Sequence, residues 1–181
     1  MENVSDRVVA ETRFLRLVVR DGWSFVQRPN ATGVVAIVAL TDDEEIVFVE
    51  QYRKPLGKVT IELPAGLAGD EPGHEGEGLA GSAGRELLEE TGFAASHITH
   101  LLDCPTSAGM TDEVASFFLA TGLNRVGPGG GVPGENIVVH VVPLKSAHEF
   151  LLACAKSGKM IAAKALAGLQ LANVARRGEG A

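Results

Sequence analysis

Three glutamates in one short stretch have the spacing of a metal site. Residues 77–93 read EGLAGSAGRELLEETGF, and Glu86 precedes Glu89 and Glu90 by three and four residues. On a helix these carboxylates share one face, where they repel one another unless a cation lies between them. Hard oxygen ligands of this kind suit Mg²⁺ or Mn²⁺ better than zinc. Arg85 stands four residues before Glu89, where it can orient one carboxylate. The alternative is a solvated acidic helix face with ordinary ion pairs.

The same stretch predicts the helix that would carry these side chains. Apolar residues recur at helical spacing over Leu79–Thr91, and Gly92 stands where the left-handed residue after a helix is expected. Glycine costs about 1 kcal/mol relative to alanine inside a helix, so contacts with the rest of the protein must hold the first turns. The glycines concerned are Gly78, Gly81 and Gly84.

The elements around this helix read as a mixed sheet packed by helices, an α/β (α+β) arrangement. Strands are predicted at Arg13–Arg20, Trp23–Gln27, Gly33–Leu40, Ile46–Gln51, Ile98–Asp103, Val114–Ala120 and Ile137–Val142. The continuous apolar run of Gly33–Leu40 indicates a strand buried on both faces. Residues 62–78 are rich in glycine and proline and are predicted as a loop. Two further helices are predicted at Ser146–Ala155, with a capping box of Ser146 and Glu149, and at Lys159–Arg177.

Composition narrows the classes of function. The 181 residues suit one domain, and 23 acidic against 16 basic residues give a net charge of −7. This balance argues against a nucleic-acid partner, which would need a basic face. Cys104 and Cys154 follow no ligand pattern and predict reduced thiols in a cytoplasmic protein. No signal peptide is recognised, and the longest apolar run is far too short to cross a membrane, so no membrane association is expected.

The pattern E-x7-R-E-L-x-E-E-x-G-F resembles the Nudix box, G-x5-E-x7-R-E-U-x-E-E-x-G-U, at every position from Glu77 onward. One departure concerns the opening glycine of the box, whose place is taken by Glu71. If Gly66 fills that role, five extra residues precede Glu77, and residues 69–76 read as a lengthened loop that leads into the helix. The chain is therefore identified by resemblance as a Nudix hydrolase.

Other segments resemble the branch of this family that hydrolyses ADP-ribose and nucleoside diphosphate sugars. They are QYRKP at Gln51–Pro55, ELPAG at Glu62–Gly66 and TSAGMTDE at Thr106–Glu113. The resemblance implies a three-layer αβα Nudix sandwich on a mixed sheet, with the Nudix domain at residues 33–181. It also implies a small N-terminal antiparallel sheet within residues 1–32 that serves dimerisation and substrate binding. The expected assembly is a homodimer, often with these sheets exchanged between subunits.

The resemblance also implies roles for individual residues. The expected metal ligands are Glu86 and Glu90 first, then Glu77, Glu89 and the carbonyl of Ala65. Expected catalytic residues are Glu86 and Glu90 through the metal, Arg85 as the group that orients carboxylates, and Glu113 as the general base. Expected substrate contacts are Arg53 to the diphosphate, Glu62, and Trp23 stacked on the nucleobase. Several of these residues have alternatives. Arg85 could form a surface salt bridge, and Arg53 could be a surface arginine at a strand end. Glu62 could be a capping or structural residue, Trp23 a packed or interface residue, and a helix glutamate could replace Glu113 as the base.

The implied reaction is Mg²⁺-dependent hydrolysis of ADP-ribose or a related nucleoside diphosphate sugar, giving a nucleoside monophosphate and a sugar phosphate. Mn²⁺ can substitute for Mg²⁺. Ala108 stands where ADP-ribose hydrolases usually carry proline, which leaves GDP-mannose and UDP-glucose open. One alternative is a non-catalytic Nudix-like sensor of nucleotide sugars, against which the three intact helix glutamates argue. Another is a hydrolase of nucleoside triphosphates or RNA caps, against which the QYRKP and ELPAG segments argue.

Overall fold

A computed structural model describes residues 6–69, 73, 76–131 and 134–178. These residues form eleven strands, three α-helices and one short 3₁₀ helix. The strands are β1 Arg7–Glu11, β2 Arg16–Arg20, β3 Trp23–Gln27, β4 Gly33–Ala39, β5 Glu45–Arg53, β6 Lys58–Glu62, β7 Ala65–Ala68, β8 Phe93–Pro105, β9 Val114–Arg125, β10 Val138–Pro143 and β11 Met160–Ile161. The α-helices are α1 Leu79–Thr91, α2 Ala147–Lys156 and α3 Ala163–Arg176, and the 3₁₀ helix is Leu144–Ser146.

Two four-stranded sheets form the centre of the molecule. In the first, the strand order is β7-β4-β9-β8, and β4 runs parallel to β9 while the other pairs are antiparallel. In the second, the order is β10-β5-β6-β11, and only β11 runs parallel to its neighbour. Both sheets are therefore mixed, as the order of predicted strands and helices indicated.

Strand β4 is buried on both faces, which confirms the interpretation of its continuous apolar run. Val34, Ala36 and Val38 pack in one core with residues of α2 and α3. The alternate residues Val35, Ile37 and Ala39 pack in a second core with Ala83 and Leu87 of α1. Because side chains alternate across a strand, one strand supports both cores, and helices cover the two sides of the central layer. The predicted αβα sandwich is confirmed.

The strands β1, β2 and β3 form a separate antiparallel sheet. It joins the rest of the chain through the backbone, where the Val26 N–H donates to the Met110 carbonyl at 2.8 Å. All of β1 is exposed. The division of the chain at residues 32 and 33 stays a prediction, since the sheet and its connections do not by themselves define a boundary. No described helix is long and apolar enough to cross a membrane.

Several predicted boundaries were wrong, and tertiary pairing explains most of them. Within the supposed loop 62–78, Ala65–Ala68 forms β7 because it pairs with the edge of β4. The last helix begins at Ala163 rather than residue 159, because Met160–Ile161 pairs with β6. The capping box is absent: the Ser146 hydroxyl donates to the Pro143 carbonyl at 3.1 Å, and no side chain caps α2. Residues 70–72 and 74–75 of the lengthened loop lie outside the described residues.

Candidate functional site

Helix α1 has the predicted bounds and carries the glutamates at its carboxyl-terminal half. Gly92 follows it with φ of 74° and donates its N–H to the Leu88 carbonyl at 2.8 Å. The glycines of the first turns leave space for neighbours. A Cβ at Gly81 would lie 2.9 Å from Glu77 Cγ, so glycine lets the Glu77 side chain lie against the helix. Glu77 Oε2 there accepts a hydrogen bond from the Ser82 hydroxyl at 3.0 Å.

An open cleft of about 670 Å³ lies between α1 and the strands β5, β6 and β7. Six glutamates and three basic residues line it, so its described walls carry an excess of negative charge. The acidic residues are Glu62, Glu86, Glu89, Glu90, Glu113 and Glu135, and the basic ones are Arg28, Arg53 and Lys164. An anionic ligand therefore needs cations or these basic groups to enter.

Arg85 sits among the carboxylates of α1. Its Nη1 lies 3.0 Å from Glu86 Oε1 and 3.3 Å from Glu89 Oε2, and its Nε lies 3.3 Å from Glu77 Oε2. Nη2 donates to the Leu67 carbonyl of β7 at 3.2 Å. The Arg85 side chain is only 11% exposed, so its guanidinium is largely shielded from water, although Glu89 is itself partly exposed. Arg85 thus ties three glutamates to one another and to the neighbouring strand.

Glu90 is the most deeply buried of the α1 glutamates, at 6% exposure. Its Oε2 accepts a hydrogen bond from the Ala65 N–H at 3.0 Å. Burial raises the pKa of Glu90 to about 8, against the Ala65 hydrogen bond that lowers it, and the nearby Glu86 and Glu135 raise it further. The ligand-free protein therefore holds Glu90 largely protonated at neutral pH.

The donor set fits a hard divalent cation. Carboxylate oxygens of Glu86, Glu89 and Glu90 face the cleft, next to the backbone of Ala65 and Gly66. A Cβ at Gly66 would overlap the Glu86 carboxylate, so glycine lets this carboxylate lie directly on β7. Among the described residues, no group of three His, Cys, Asp or Glu side chains is arranged to hold a metal ion as they now stand. Binding therefore requires these carboxylates to exchange some of their present partners for the ion.

The two predicted substrate residues Arg53 and Glu62 bind each other. Arg53 Nε lies 2.6 Å from Glu62 Oε1, and Nη2 lies 2.9 Å from Oε2. The two side chains therefore form a bidentate ion pair between β5 and β6. The Glu62 side chain is 8% exposed, and the hydrogen bonds that Arg53 donates to Glu62 raise the pKa of Arg53. The Arg53 guanidinium thus binds a carboxylate through two parallel hydrogen bonds. The same bidentate geometry also suits a phosphate group.

Glu113 is paired with an arginine that sequence reasoning missed. Arg28 Nε lies 2.6 Å from Glu113 Oε2. Arg28 and Glu113 also line a second cavity of about 420 Å³, so their ion pair stands between two cavities. Arg28 directly follows β3, and nothing in its local sequence distinguishes it from a surface arginine. Glu135, Lys164, Gln51 and Thr60 also line the cleft without having been predicted.

Trp23 lies apart from the glutamates within one chain. It is 63% exposed, and its Nε1 donates to the Gly109 carbonyl at 3.2 Å. It borders a shallow pocket with Ala108 and Thr111 rather than the cleft. A stacking role for Trp23 stays a prediction.

Comparison with known proteins agrees with this geometry. Residues 31–163 match the family model of the NUDIX domain. The methanol dehydrogenase activator of Bacillus methanolicus is 39% identical over 59% of this chain and 55% of its own length. The ADP-ribose pyrophosphatase of Mycobacterium tuberculosis is 45% identical over 52% of this chain and 44% of its own length. The GDP-mannose pyrophosphatase of an Enterobacter species is 30% identical over 84% of this chain and 78% of its own length.

The fold has a close counterpart among solved structures. The crystal structure of an ADP compounds hydrolase superposes with a TM-score of 0.73 at 20% identity, over 97% of this chain and 94% of that one. At this identity the likeness concerns the fold alone. The alignments span about half the length of the first two relatives named above. The match to the family model covers most of the chain, including β4 to β11 and helix α1. The chain belongs to the NUDIX domain family.

Proposed function

We propose that the protein hydrolyses the diphosphate bond of ADP-ribose or a related nucleoside diphosphate sugar with the help of Mg²⁺. The main support is that the glutamates of α1 and Arg53 line the same cleft. Carboxylates alone would repel a diphosphate, whereas carboxylates with a divalent ion and an arginine fork can hold one. The products are a nucleoside monophosphate and a sugar phosphate.

Glu86, Glu90 and the carbonyl of Ala65 would hold the Mg²⁺ ion, with Glu89 and Glu77 as further ligands. Mn²⁺ would bind the same oxygen donors. When bound, the metal withdraws charge from the diphosphate and makes the attacking water more acidic. Arg85 would keep the carboxylates of α1 in position, which the shielded contacts to Glu77, Glu86 and Glu89 support.

Arg53 and Glu113 have separate tasks in this proposal. Arg53 turns from Glu62 to the diphosphate oxygens, since a guanidinium fork suits phosphate as well as carboxylate. Glu113 accepts the proton of the attacking water, and its position at the edge of the cleft supports this role. Because Arg28 now holds Glu113, the proposal requires this ion pair to loosen when substrate binds.

The names of two relatives support the substrate class. One is an ADP-ribose pyrophosphatase and the other a GDP-mannose pyrophosphatase, and both substrates are nucleoside diphosphates linked to a sugar. A second candidate function is regulatory, because the relative from Bacillus methanolicus is named as an activator of another enzyme. Hydrolysis and activation are distinguished by whether this chain, alone, consumes the nucleotide.

A substrate panel tests the proposed reaction. We expect the purified protein with Mg²⁺ to release nucleoside monophosphate from ADP-ribose, GDP-mannose or UDP-glucose, and to act much more slowly on dGTP. Chromatography of the products identifies the bond that is broken. If dGTP is cleaved fastest, the protein is instead a hydrolase of nucleoside triphosphates. Failure to cleave any diphosphate sugar with either Mg²⁺ or Mn²⁺ would leave the regulatory candidate.

We also propose that the protein is a homodimer built on its N-terminal sheet. The support is the apolar surface of this sheet and its turn, with Val9 50% and Phe14 65% exposed. We expect light scattering after size exclusion to give the mass of two chains, and Val9→Asp to shift it toward one, because a buried charge opposes association. An unchanged mass for Val9→Asp, or a monomeric native protein, would contradict this interface.

We further propose that the protein works in a reducing compartment such as the cytoplasm, which the free thiols of Cys104 and Cys154 support.

A further inference from the structure

Beyond the Arg53–Glu62 pair, a row of three side chains crosses the floor of the cleft. Gln51 of β5 stands directly opposite Thr60 of β6, and Thr60 stands opposite Met160 of β11. All three residues line the cleft. Side chains opposite one another on paired strands point to the same face of a sheet, so they form one continuous strip. We call Gln51, Thr60 and Met160 the floor row.

Thr60 is the unusual member of the floor row. The residue is 4% exposed, and its hydroxyl has no hydrogen-bond partner in the part of the chain that the structure describes. A buried hydroxyl without a partner destabilises the folded state, whereas valine has the same shape and carries no such penalty. Gln51 brings a second polar group to the same place, at 8% exposure. A cleft that buries polar groups at a cost in stability is suited to a ligand that bonds to them.

The position of Arg53 explains how this floor becomes accessible. Arg53 pairs in register with Lys58, yet its guanidinium reaches Glu62, which lies four residues further along β6. Its side chain therefore lies across the Gln51–Thr60 pair. When Arg53 turns to a diphosphate, as the proposed function requires, Gln51 and Thr60 are uncovered and Glu62 loses its partner. Together these groups offer an amide, a hydroxyl and a carboxylate, the donors and acceptors that pair with sugar hydroxyls.

A nucleobase fits the floor row less well than a sugar. None of the described residues that line this cleft is aromatic, so the floor offers no stacking platform of the kind that bases use. Met160, opposite Thr60, and Leu56 add apolar groups to the lining of the cleft, on which the carbon face of a sugar ring can pack. We infer that Gln51 and Thr60 form a subsite for the hydroxyl groups of the sugar attached to the diphosphate. This inference rests on the proposed function for the placement of the diphosphate.

Calorimetric titration in EDTA tests the subsite without turnover. The probes are ADP-ribose and the methyl ester of ADP, which keeps the nucleoside and diphosphate but lacks the distal sugar. GDP-mannose and the methyl ester of GDP form a parallel pair. For the nucleoside diphosphate sugar that the wild-type protein prefers, we expect Thr60→Val to raise the Kd about fivefold. This is the net contribution of one hydrogen bond to binding. The Kd of the corresponding methyl ester stays within about twofold, because that ligand makes no contact with the hydroxyl.

Three controls separate binding from folding. Thr60→Ser keeps the hydroxyl and restores the wild-type preference for the sugar. Thr99→Val, at an exposed position of β8, changes neither Kd. Thermal unfolding of ligand-free Thr60→Val occurs at the wild-type temperature or above it, since the variant loses an unpaired buried hydroxyl.

The subsite is overturned if Thr60→Val weakens the sugar and the methyl ester equally, if it weakens neither, or if wild type does not prefer the sugar. Failure of the proposed function gives a different result. In that case no monophosphate appears with Mg²⁺, while the preference for the sugar and its loss in Thr60→Val persist in the titrations.

Discussion

Glu90→Gln is expected to lower kcat about 100- to 1000-fold while making the metal-free protein more stable at pH 8. The loss of activity is expected because Glu90 is a proposed metal ligand, and the metal contributes several kcal/mol to lowering the barrier of the proposed reaction. The gain in stability follows from burial, because an amide at this position carries no charge to desolvate. Product release at saturating substrate gives the first effect, and thermal unfolding in EDTA gives the second.

The pH dependence of that stability has a definite sign. Burial raises the pKa of Glu90 to about 8 from its ordinary 4.5, so the folded protein binds a proton that the unfolded chain has lost. Below pH 4.5 the carboxyl is neutral in both states and has no effect. As pH rises through this window to about 8, wild type loses about 2 to 5 kcal/mol relative to Glu90→Gln. Saturating Mg²⁺ reduces the difference, because the ion stabilises the charged carboxylate.

Glu149→Gln on α2 is the matched control, since Glu149 is exposed and lies outside the cleft. It should leave both activity and the pH profile of stability unchanged. A difference between Glu90→Gln and wild type that is flat from pH 5 to pH 9 would show that Glu90 titrates normally. Full activity of Glu90→Gln would show that Glu90 is not a metal ligand.

Glu113→Gln is expected to reduce kcat about 100- to 10,000-fold with little change in KM, because Glu113 is the proposed general base. Its present partner is Arg28, at 2.6 Å, so the amide also loses an ion pair. Glu113 is partly exposed, and ion pairs of this kind contribute little to stability, so the fold should tolerate the change. Steady-state kinetics with the preferred substrate of the panel measures the effect.

Asp112→Asn provides the comparison for this variant. Asp112 is the neighbouring carboxylate, but it accepts a hydrogen bond from Gln27 and does not line the main cleft. Its kcat should stay within a few-fold of wild type. If Glu113→Gln also keeps kcat within a few-fold, the base is one of the glutamates of α1. If Asp112→Asn is the slower of the two, the roles of these neighbours are reversed.

The sequence predicted the site best where chemistry and local structure coincide. Helix α1 has the predicted bounds because its apolar spacing and Gly92 are local signals, and its glutamates follow from the same spacing. Strand β4 was recognised because burial on both faces requires an unbroken apolar run. Even the glycines that weaken α1 now have a reason at Gly81, which makes room for Glu77.

Contacts between distant segments could not be read from local patterns. Strand β7 exists because Ala65–Ala68 finds the edge of β4, and no propensity in that glycine-containing segment indicates it. The partners of the predicted residues were equally hidden, since Arg28 meets Glu113 across 85 residues of sequence. The place of Thr60 in the cleft was hidden from the local sequence for a related reason. Only the register of β5, β6 and β11 shows that it lies between Gln51 and Met160 in the cleft.

In the proposed function, this chain breaks a diphosphate bond through the metal site on α1. Phosphorus NMR of ADP-ribose and GDP-mannose, incubated with the protein and Mg²⁺, tests it most directly. We predict that the diphosphate signals of at least one of them are replaced by two phosphate monoester signals of equal area. EDTA should stop this conversion, and added Mg²⁺ should restore it. Diphosphate signals that persist with wild type, or conversion that continues at the wild-type rate in EDTA or in Glu90→Gln, would contradict the claim.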